Sequence, residues 1–386
     1  MGSISDPSKL KPNPRLSLFS TLPPIPADEP FSVNGAYLSD THPQKVNLGI
    51  GVYRTSTGNP WPLNVVEEAE SRIYDARNKD RHEYLSIQGD REFLNLASDL
   101  VFGFDSTTSP QIRDRVTSVQ TVSGTGANRL GAELLSRHIR PKTVWIPNPT
   151  WANHHTIWDL AGVPEKSYPY YDAQKKKFNY IGTMESLSKA QKNDVVILHA
   201  CAHNPTGADP TPTQWESIAR LCAERGLIPF FDLAYQGFAS GDAAQDAWAI
   251  RHFFGLELEF CVAQSFSKNF GLYGQRVGAL HVVSFPSLDK NTAAGGVGGD
   301  ILANLCHLVR GEYSMAPRGG AEIVRTVLGD AELRGRWYED LGVMSTRIQD
   351  MRRALYGELV RLGTPGSWEH VLDQVCSALI LRDIVS

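Results

Sequence analysis

The most informative stretch of the sequence is Glu259–Gly278, which reads EFCVAQSFSKNFGLYGQRVG. Its first part is a short apolar run, typical of a buried strand, and the run leads into two serines and Lys268. In a pocket of low dielectric constant, a lysine amine loses its charge readily and can attack a carbonyl group. The glycines that follow let the backbone approach a ligand closely, and the planar guanidinium of Arg276 suits a phosphate. The stretch therefore predicts a pocket in which an amine nucleophile and a bound phosphate lie together.

From about Val46 onward, short apolar runs alternate with helical stretches, a pattern typical of α/β proteins. The predicted strands are Thr143–Ile146, Val195–His199, Ile228–Asp232 and Phe260–Gln264. The predicted helices are Gln214–Arg225, Ala247–Phe254 and Asp330–Leu362. Spacing of this kind predicts a mostly parallel sheet, with ligand groups gathered at the carboxyl ends of its strands.

Composition excludes several classes of protein. With 38 basic and 42 acidic residues among 386, the chain has a net charge of −4 and no long basic run, so we expect no nucleic-acid partner. No apolar run reaches membrane-spanning length, and residues 1–30 lack a secretory signal, so we expect no membrane partner. The five cysteines are scattered, which favours reduced thiols and a cytoplasmic protein. The histidines lack the spacing of metal ligands, so we expect no metal site.

Polar residues stand where the predicted strands end. Asn204 follows one strand in a turn, and Asp232 and Tyr235 follow the next strand. A carboxylate at the end of an apolar strand is costly unless it pairs with a cation or a proton donor, and a pyridinium nitrogen is such a partner. The small-residue loop Ser123–Ala127 opens a helix whose free N–H groups suit a phosphate. Together with Lys268, these residues predict a Schiff base with pyridoxal 5'-phosphate.

Each of these residues also has an ordinary structural explanation. Lys268 alone could be a surface lysine, and Asp232 alone could cap the helix that follows it. A glycine-rich turn such as Ser123–Ala127 is common, and Trp151 could serve packing alone. It is the joint occurrence of these residues in one chain that favours a cofactor site.

In its longer motifs the sequence resembles the aspartate aminotransferases, a family of pyridoxal-phosphate enzymes. The resemblance spans roughly residues 45–374 and includes the segments Val46–Arg54, His82–Leu85, Asn148–His154, His199–Gly207, Phe231–Gly241 and Ser265–Gly278. It implies an α/β protein of fold type I, with a mostly parallel seven-stranded sheet in a large domain, helices on both faces and a smaller α/β domain. The implied division is 1–60 for the N-terminal arm and part of the small domain, 61–335 for the large cofactor-binding domain, and 336–386 for an incomplete small domain.

The same resemblance implies a role for each matching site residue. Lys268 would form the Schiff base and shuttle a proton between substrate and cofactor. Asp232 would pair with the pyridine nitrogen, with His154 behind it, and Asn204 and Tyr235 would hold the phenolic oxygen. The residue that stacks on the ring and those that bind the phosphate would be Trp151, Ser123, Gly124, Thr125, Ser265, Ser267 and Arg276.

The resemblance also implies a substrate and a partner. Tyr84 would reach the phosphate of a neighbouring subunit, which implies a homodimer with shared active sites. Gly51 would lie beside the substrate with Trp151 and Asn204, and Arg310 would pair with the distal substrate carboxylate across the dimer. Such an enzyme takes amino acids and 2-oxo acids, and it transfers the amino group of L-aspartate to 2-oxoglutarate, giving oxaloacetate and L-glutamate. An aromatic or broad-range aminotransferase is the alternative.

After Gln374 the sequence departs from the pattern of the family. Aspartate aminotransferases continue with a segment that carries the arginine for the substrate α-carboxylate, whereas residues 375–386 read VCSALILRDIVS. Arg382 does not stand in the Ser-Gly-Arg context of the family. We therefore expect a chain that binds the cofactor but transaminates weakly, and a cofactor-binding paralogue is a further alternative.

Overall fold

The structure, a computed structural model, describes residues 17–25, 29–47, 51–76, 82–285 and 296–374. The chain forms two compact units, Met1–Gly51 and Val52–Ser386. The first unit contains helix α1 (Glu29–Ser39). Near the end of this helix, the carbonyl oxygen of Tyr37 accepts a hydrogen bond from Lys45 Nζ at 2.8 Å. This bond satisfies one of the carbonyl groups that a helix leaves unpaired at its end.

A seven-stranded sheet forms the centre of the second unit. The strands in the described part of the chain are β1 (Val116–Val122), β2 (Val144–Asn148), β3 (Glu165–Pro169), β4 (Tyr171–Asp172), β5 (Lys177–Phe178), β6 (Val195–His199), β7 (Ile228–Leu233), β8 (Phe260–Ser265) and β9 (Val277–Val283). The order across the large sheet is β1-β9-β8-β7-β6-β2-β3, and β4 pairs separately with β5. From β3 to β8 the neighbouring strands are parallel, whereas β9 is antiparallel to both of its neighbours. The predicted mostly parallel, seven-stranded sheet is confirmed.

Helices cover both faces of this sheet. The described helices of the second unit are α2 (Asn64–Asp75), α3 (Arg91–Phe102), α4 (Pro110–Arg113), α5 (Ser123–His138), α6 (Asn153–Leu160), α7 (Tyr180–Leu187), α8 (Pro212–Arg225), α9 (Ala243–Asp246), α10 (Trp248–Gly255), α11 (Gly296–Glu312), α12 (Arg318–Gly329), α13 (Ala331–Arg361) and α14 (His370–Asp373). Val196 and Leu198 of β6 share a core with Trp215 of α8, whereas Ile197 shares a core with Leu130 of α5. Successive residues of a strand point to opposite faces, so both faces of β6 are buried, as in sheets covered by helices on each side.

The start of α8 shows how the local sequence fixes a helix. The N–H of Gln214 donates to Thr211 Oγ1 at 3.3 Å, and the N–H of Thr211 donates to Gln214 Oε1 at 2.8 Å. Pro212 occupies the first turn, where no backbone N–H is needed, and Gly226 ends the helix with a φ of 63°. Because of this reciprocal capping, the helix begins earlier than the predicted Gln214.

A further core joins α2, α3, α12 and α13 to the segment that follows β8. Phe266 and Phe270 belong to this core, and the ring of Phe270 stacks on Trp337 of α13 with centroids 4.7 Å apart. Helix α13 is continuous, so the predicted boundary between residues 335 and 336 falls inside it. The division of the chain at 60 and 335 stays a prediction.

Within the described ranges, no helix combines the length and the apolar character needed to cross a membrane. The same residues contain no group of three His, Cys, Asp or Glu side chains that could hold a metal ion. Cys222 and Cys261 are buried free thiols, and burial raises the pKa of each thiol to about 12. These two thiols stay protonated and serve packing.

His281 of β9 predicts acid sensitivity of the fold. Its Nε2 lies 3.0 Å from Gln264 Oε1 and its Nδ1 lies 2.7 Å from Ser118 Oγ, and burial lowers the pKa of His281 to about 3. The unfolded chain takes up a proton on this histidine below about pH 6.5, whereas the folded chain does so only near pH 3. Stability therefore falls as the pH drops through this window, by about 2 kcal/mol at pH 5.

We expect His281→Gln to remove this loss. Urea unfolding at pH 7.5 and pH 5 should show that the variant loses about 2 kcal/mol less than the wild type over this interval. His155→Gln, at an exposed histidine outside the contacts of His281, is the matched control and is measured at the same two pH values. Equal pH dependence in the wild type and the His281 variant would show that the buried imidazole does not titrate as expected.

Candidate active site

The carboxyl end of the sheet carries a cup made of three hydroxyls and a guanidinium. Ser123 Oγ lies 2.8 Å from Ser267 Oγ and 3.3 Å from Ser265 Oγ, and all three serines are buried. Arg276 Nη1 donates to Ser267 Oγ at 3.3 Å and to the carbonyl oxygen of Tyr273 at 2.9 Å. Because hydroxyls and guanidinium groups supply hydrogen-bond donors, a cup of this composition can bind an anion.

The backbone of the cup is strained and closely packed. Ser123 has a φ of 61° and Arg276 has a φ of 53°, in the left-handed region that side chains rarely adopt. Ser123 and Thr125 stand in the first turn of α5, and the dipole of this helix adds to the attraction for an anion. At Gly124 a Cβ atom would come within 2.9 Å of the Ser265 Cβ, so a side chain there would fill the cup. Strain of this kind concentrates at functional sites.

Asp232, at the end of β7, holds two hydrogen bonds on one of its oxygens. His154 Nε2 lies 3.0 Å from Oδ2, and Asn128 Nδ2 donates to the same oxygen at 3.1 Å. Burial alone would raise the pKa of Asp232, but the hydrogen bond from His154, the nearby imidazoles and the bond from Asn128 together lower it. The carboxylate is therefore ionised, its side chain remains 11% exposed, and Oδ1 accepts no hydrogen bond from the residues that the structure describes.

A chain of hydrogen bonds runs from Asp232 to the backbone of Asn204. His154 Nδ1 is 2.9 Å from Thr150 Oγ1, which is 3.0 Å from His199 Nε2. The N–H of Asn204 donates to His199 Nδ1 at 3.2 Å, which assigns the proton of this imidazole to Nε2. Burial lowers the pKa of His199 well below its usual value and keeps the ring neutral. These hydrogen bonds thus connect Asp232 with Asn204, two residues that the sequence analysis placed at the ends of neighbouring strands, now β7 and β6.

The turn that carries Asn204 is held by a carboxylate. Asp209 accepts the N–H of Ala202 at 2.6 Å and the N–H of His203 at 2.9 Å. Ala202 has a φ of 48°, and burial raises the pKa of Asp209 to about 6 even though these bonds oppose the shift. The two bonds offset the backbone strain at Ala202 and fix the direction in which the chain enters Asn204.

Lys268 follows β8 and lies between two aromatic rings. Its Nζ is 5.8 Å from the ring centroid of Tyr235 and 5.6 Å from that of Tyr273. Trp151, which follows β2, meets the ring of His154 edge to face with centroids 5.2 Å apart. The predicted amine therefore lies near the predicted tyrosine, and the predicted stacking ring lies beside the histidine that contacts the carboxylate of β7.

Tyr84 and Arg310 lie on the surface of the chain. The side chain of Tyr84 is 84% exposed, in a loop whose next backbone N–H donates to Met315 Sδ at 3.2 Å. Arg310 is exposed near the end of α11 and donates to Ser314 Oγ. Gly51 belongs to the first compact unit. The predicted roles of these three residues stay predictions.

Sequence reasoning missed two residues that support the site. Asn128 Nδ2 donates to the carbonyl oxygen of Gly124 at 3.0 Å as well as to Asp232, and Asp209 holds the turn before Asn204. Asn128 stands one helical turn after Gly124, and a polar residue at that spacing faces the same side of the helix. This spacing was the signal that could have indicated it. The predicted departure after residue 374 lies outside the described residues and stays a prediction.

The donors and acceptors of the site fit pyridoxal phosphate. The cup supplies donors to a phosphate, the ionised Asp232 keeps Oδ1 for a protonated ring nitrogen, and Lys268 supplies an amine for an aldehyde. These groups stand at the carboxyl ends of strands in one mostly parallel sheet, where such folds bind ligands. Sheet and site together define a pyridoxal-phosphate-dependent enzyme of fold type I.

The chain belongs to the family described as aminotransferase class I and II, whose sequence model matches residues 43–381. It is an aminotransferase, its cofactor is pyridoxal phosphate, and the family transfers amino groups between amino acids and 2-oxo acids.

Three known proteins illustrate the similarity. An L-tyrosine:2-oxoglutarate aminotransferase of Aspergillus ustus is 50% identical over 366 residues, covering 93% of this chain and 69% of that protein. The chloroplastic aspartate aminotransferase 3 of Arabidopsis thaliana is 46% identical over 360 residues, covering 93% of this chain and 78% of that protein. The solved structure of the aspartate aminotransferase from Saccharomyces cerevisiae cytoplasm superposes with a TM-score of 0.87 at 39% identity, covering 92% of this chain and 86% of that one.

Proposed function

We propose that this aminotransferase moves the amino group of L-aspartate to 2-oxoglutarate, giving oxaloacetate and L-glutamate. The observation that carries the proposal is Arg310, which stands exposed near the end of α11 with one N–H directed to Ser314 Oγ. A guanidinium has five N–H donors, so the others can bind a carboxylate in a bidentate pair. Aspartate, glutamate and their 2-oxo acids all carry a second carboxylate, which an aromatic side chain lacks.

The chemistry divides between the cofactor and the residues of the chain. Pyridoxal phosphate, when bound, supplies an electron sink for the negative charge that develops at the substrate α-carbon. The cup would bind its phosphate, and Asp232 would hold a proton on the ring nitrogen. Asn204 and Tyr235 would donate to the phenolic oxygen, and Trp151 would stack on the ring.

Lys268 has two tasks in this proposal. Its amine would form the covalent link to the cofactor. When the amine is free, Nζ would accept the proton that leaves the substrate α-carbon. Lys268 Nζ lies 5.8 Å from the ring centroid of Tyr235 and 5.6 Å from that of Tyr273, so the amine stands beside the phenol that would hold the phenolic oxygen of the cofactor.

We propose that two copies of the chain share their sites. The phenol of Tyr84 is exposed, yet its loop is anchored because Arg318 donates to the carbonyl oxygen of Glu83 at 3.2 Å. An aromatic ring held in place on a surface suits a defined contact with a second copy. In such a dimer, Tyr84 would reach the partner's phosphate cup and Arg310 would face the partner's substrate. A cytoplasmic location is proposed as well, supported by the origin of the yeast structure.

A second candidate is transamination of aromatic amino acids. The relative of Aspergillus ustus that is 50% identical to this chain is named for L-tyrosine as its substrate. Its acceptor, 2-oxoglutarate, is a dicarboxylate, so Arg310 serves the acceptor in both candidates. The two functions differ only in the amino donor.

We expect the wild type to prefer aspartate and Arg310→Ala to abolish that preference. Losing one partner of a hydrogen-bonded charge pair costs about 2–5 kcal/mol, so kcat/KM for aspartate should fall by about 30- to 5,000-fold. The rate with tyrosine in a single half-reaction should change little, because its side chain does not need the guanidinium. Arg353→Ala, at an exposed arginine of α13, is the matched control. A wild-type kcat/KM for tyrosine at least tenfold above that for aspartate would favour the aromatic candidate.

A hybrid dimer tests whether Arg310 acts across the interface. Lys268→Ala and Arg310→Ala chains, each inactive with aspartate, are co-expressed. If the two residues serve one site from different subunits, each hybrid has one intact site, and random pairing restores about a quarter of wild-type activity. If both residues serve the site of their own subunit, no hybrid contains an intact site and activity does not return.

A further inference from the structure

The loops that carry Lys268 and Tyr235 extend beyond the point where the sheet holds their strands together. The last paired residues of β7 and β8 are Leu233 and Gln264. Tyr235 and Lys268 follow these positions, so sheet hydrogen bonds do not fix the distance between them. Some other contact has to set this distance.

One side-chain bond joins the two loops directly. Asn269 Nδ2 donates to the carbonyl oxygen of Gln236 at 3.0 Å, and both residues are fully buried. Asn269 is the neighbour of Lys268 in the chain, and Gln236 is the neighbour of Tyr235. The bond therefore connects the amine-bearing loop to the phenol-bearing loop through their adjacent residues.

Both ends of this bond are anchored in the core. Gln236 Nε2 donates to the carbonyl oxygens of Leu100 at 2.9 Å and Ala243 at 3.1 Å, which fixes its end to α3 and α9. On the other side, Trp337 Nε1 donates to the carbonyl oxygen of Asn269 at 2.9 Å. Because both ends of the bond are held by the core, the bond fixes the position of one loop relative to the other. A bond between two mobile loops would only restrict their motion.

The amide of Asn269 is poorly explained as a stabilising group. Its Oδ1 is buried with no hydrogen-bond partner among the described residues, and a buried unpaired acceptor is costly. A leucine has nearly the same size and carries no polar atom, so apolar packing would avoid this cost. The amide is better explained by the single bond that it donates to Gln236.

We propose that Asn269 is a positioning residue that sets the distance between the Lys268 amine and the Tyr235 phenol. The proposal rests on the function proposed above, in which the amine binds the cofactor and the phenol donates to its phenolic oxygen. Displacing reacting groups by about 1 Å can cost about 10²-fold in rate. Asn269→Leu should therefore lower kcat by about 10- to 100-fold while KM changes less than about twofold, because no substrate contact is removed.

The decisive readout is the pH titration of the visible absorbance of the holoenzyme in the absence of substrate. Hydrogen bonds to the phenolic oxygen favour the deprotonated form of the lysine–cofactor link, so displacement of Tyr235 raises the midpoint of this titration. We expect the midpoint of Asn269→Leu to rise by at least about half a pH unit. The rate at which the apoprotein captures added pyridoxal phosphate into the absorbing form should fall in parallel.

Ser345→Ala is the matched control. Ser345 Oγ is buried and donates to the carbonyl oxygen of Ala239, so this variant removes a hydrogen bond from the loop after β7 without touching the bond of Asn269. Its titration midpoint and kcat should equal those of the wild type. Should Asn269→Leu be insoluble, Asn269→Ser removes the same bond with a smaller side chain and is read in the same way.

Lys268→Ala separates this inference from the proposal on which it rests. If Lys268→Ala lacks the titration and the Asn269 variants match the wild type in midpoint and kcat, Asn269 does not position the amine and the inference is overturned. If Lys268→Ala keeps the titration, the role of Lys268 itself is wrong. A raised midpoint in the Asn269 variants with an unchanged Ser345 control supports the inference.

Discussion

Lys268→Ala is expected to lower the rate of each half-reaction by about 10⁴-fold or more, because proton transfer by a positioned side chain alone contributes about 10²- to 10⁴-fold and because in its proposed role the lysine also carries the covalent link. Its Nζ lies 5.8 Å from the ring centroid of Tyr235 and 5.6 Å from that of Tyr273, in the segment that follows β8. Lys268→Arg should be nearly as inactive. A guanidinium keeps its charge at all accessible pH values, so it can neither attack an aldehyde nor accept a proton.

Rapid mixing of each holoenzyme variant with aspartate, followed by visible absorbance, measures the half-reaction directly. Borohydride reduction followed by mass spectrometry of the peptides identifies the lysine that carries the cofactor in the wild type. Lys175→Ala, at a lysine that is 76% exposed, is the matched control and should keep wild-type rates. A half-reaction of Lys268→Ala within tenfold of the wild type would remove the lysine from its proposed role.

The sequence could predict which polar residues gather at the carboxyl end of the sheet, because these residues follow strands that the local sequence pattern indicates. Buried parallel strands are short apolar runs, and the polar residues after them, such as Asp232 and Lys268, converge wherever the strands lie side by side. The distances could not be predicted. The 3.0 Å contact between His154 and Asp232 depends on where α6 lies relative to the end of β7 in three dimensions.

Two parts of the structure had no local signal. Strand β9 is antiparallel, and its register with β8 is set by a connection that passes through the cup at Arg276. The amide of Asn269 donates a hydrogen bond to a backbone carbonyl oxygen. Every residue has such an oxygen, so the sequence does not indicate which one the amide meets. The roles of Tyr84 and Arg310 depend on a second copy of the chain, so neither the sequence pattern nor a single chain fixes their distances to the site.

Asp232→Asn is expected to lower kcat by about 10²- to 10⁴-fold, because removing one partner of a buried ion pair costs about 3–5 kcal/mol. In its proposed role the ionised carboxylate would keep a proton on the cofactor nitrogen, and a neutral amide could not stabilise that positive charge. Its Oδ2 is already occupied by His154 at 3.0 Å and Asn128 at 3.1 Å, so an amide of the same shape also places an NH₂ group where a carboxylate oxygen stood. The charge and one hydrogen-bond acceptor are lost together.

Substitutions of the residues that are hydrogen-bonded to Asp232, directly or through His154, should lower the rate less than Asp232→Asn does. Asn128→Ser removes one donor to Oδ2 and should cost about tenfold or less, since the charge of Asp232 remains. Thr150→Val breaks the link between His154 and His199 and should cost less again. Half-reaction rates with aspartate, measured with saturating cofactor, give this order. If Asp232→Asn and Asn128→Ser reduced the rate equally, hydrogen bonding rather than charge at Asp232 would be what the reaction needs.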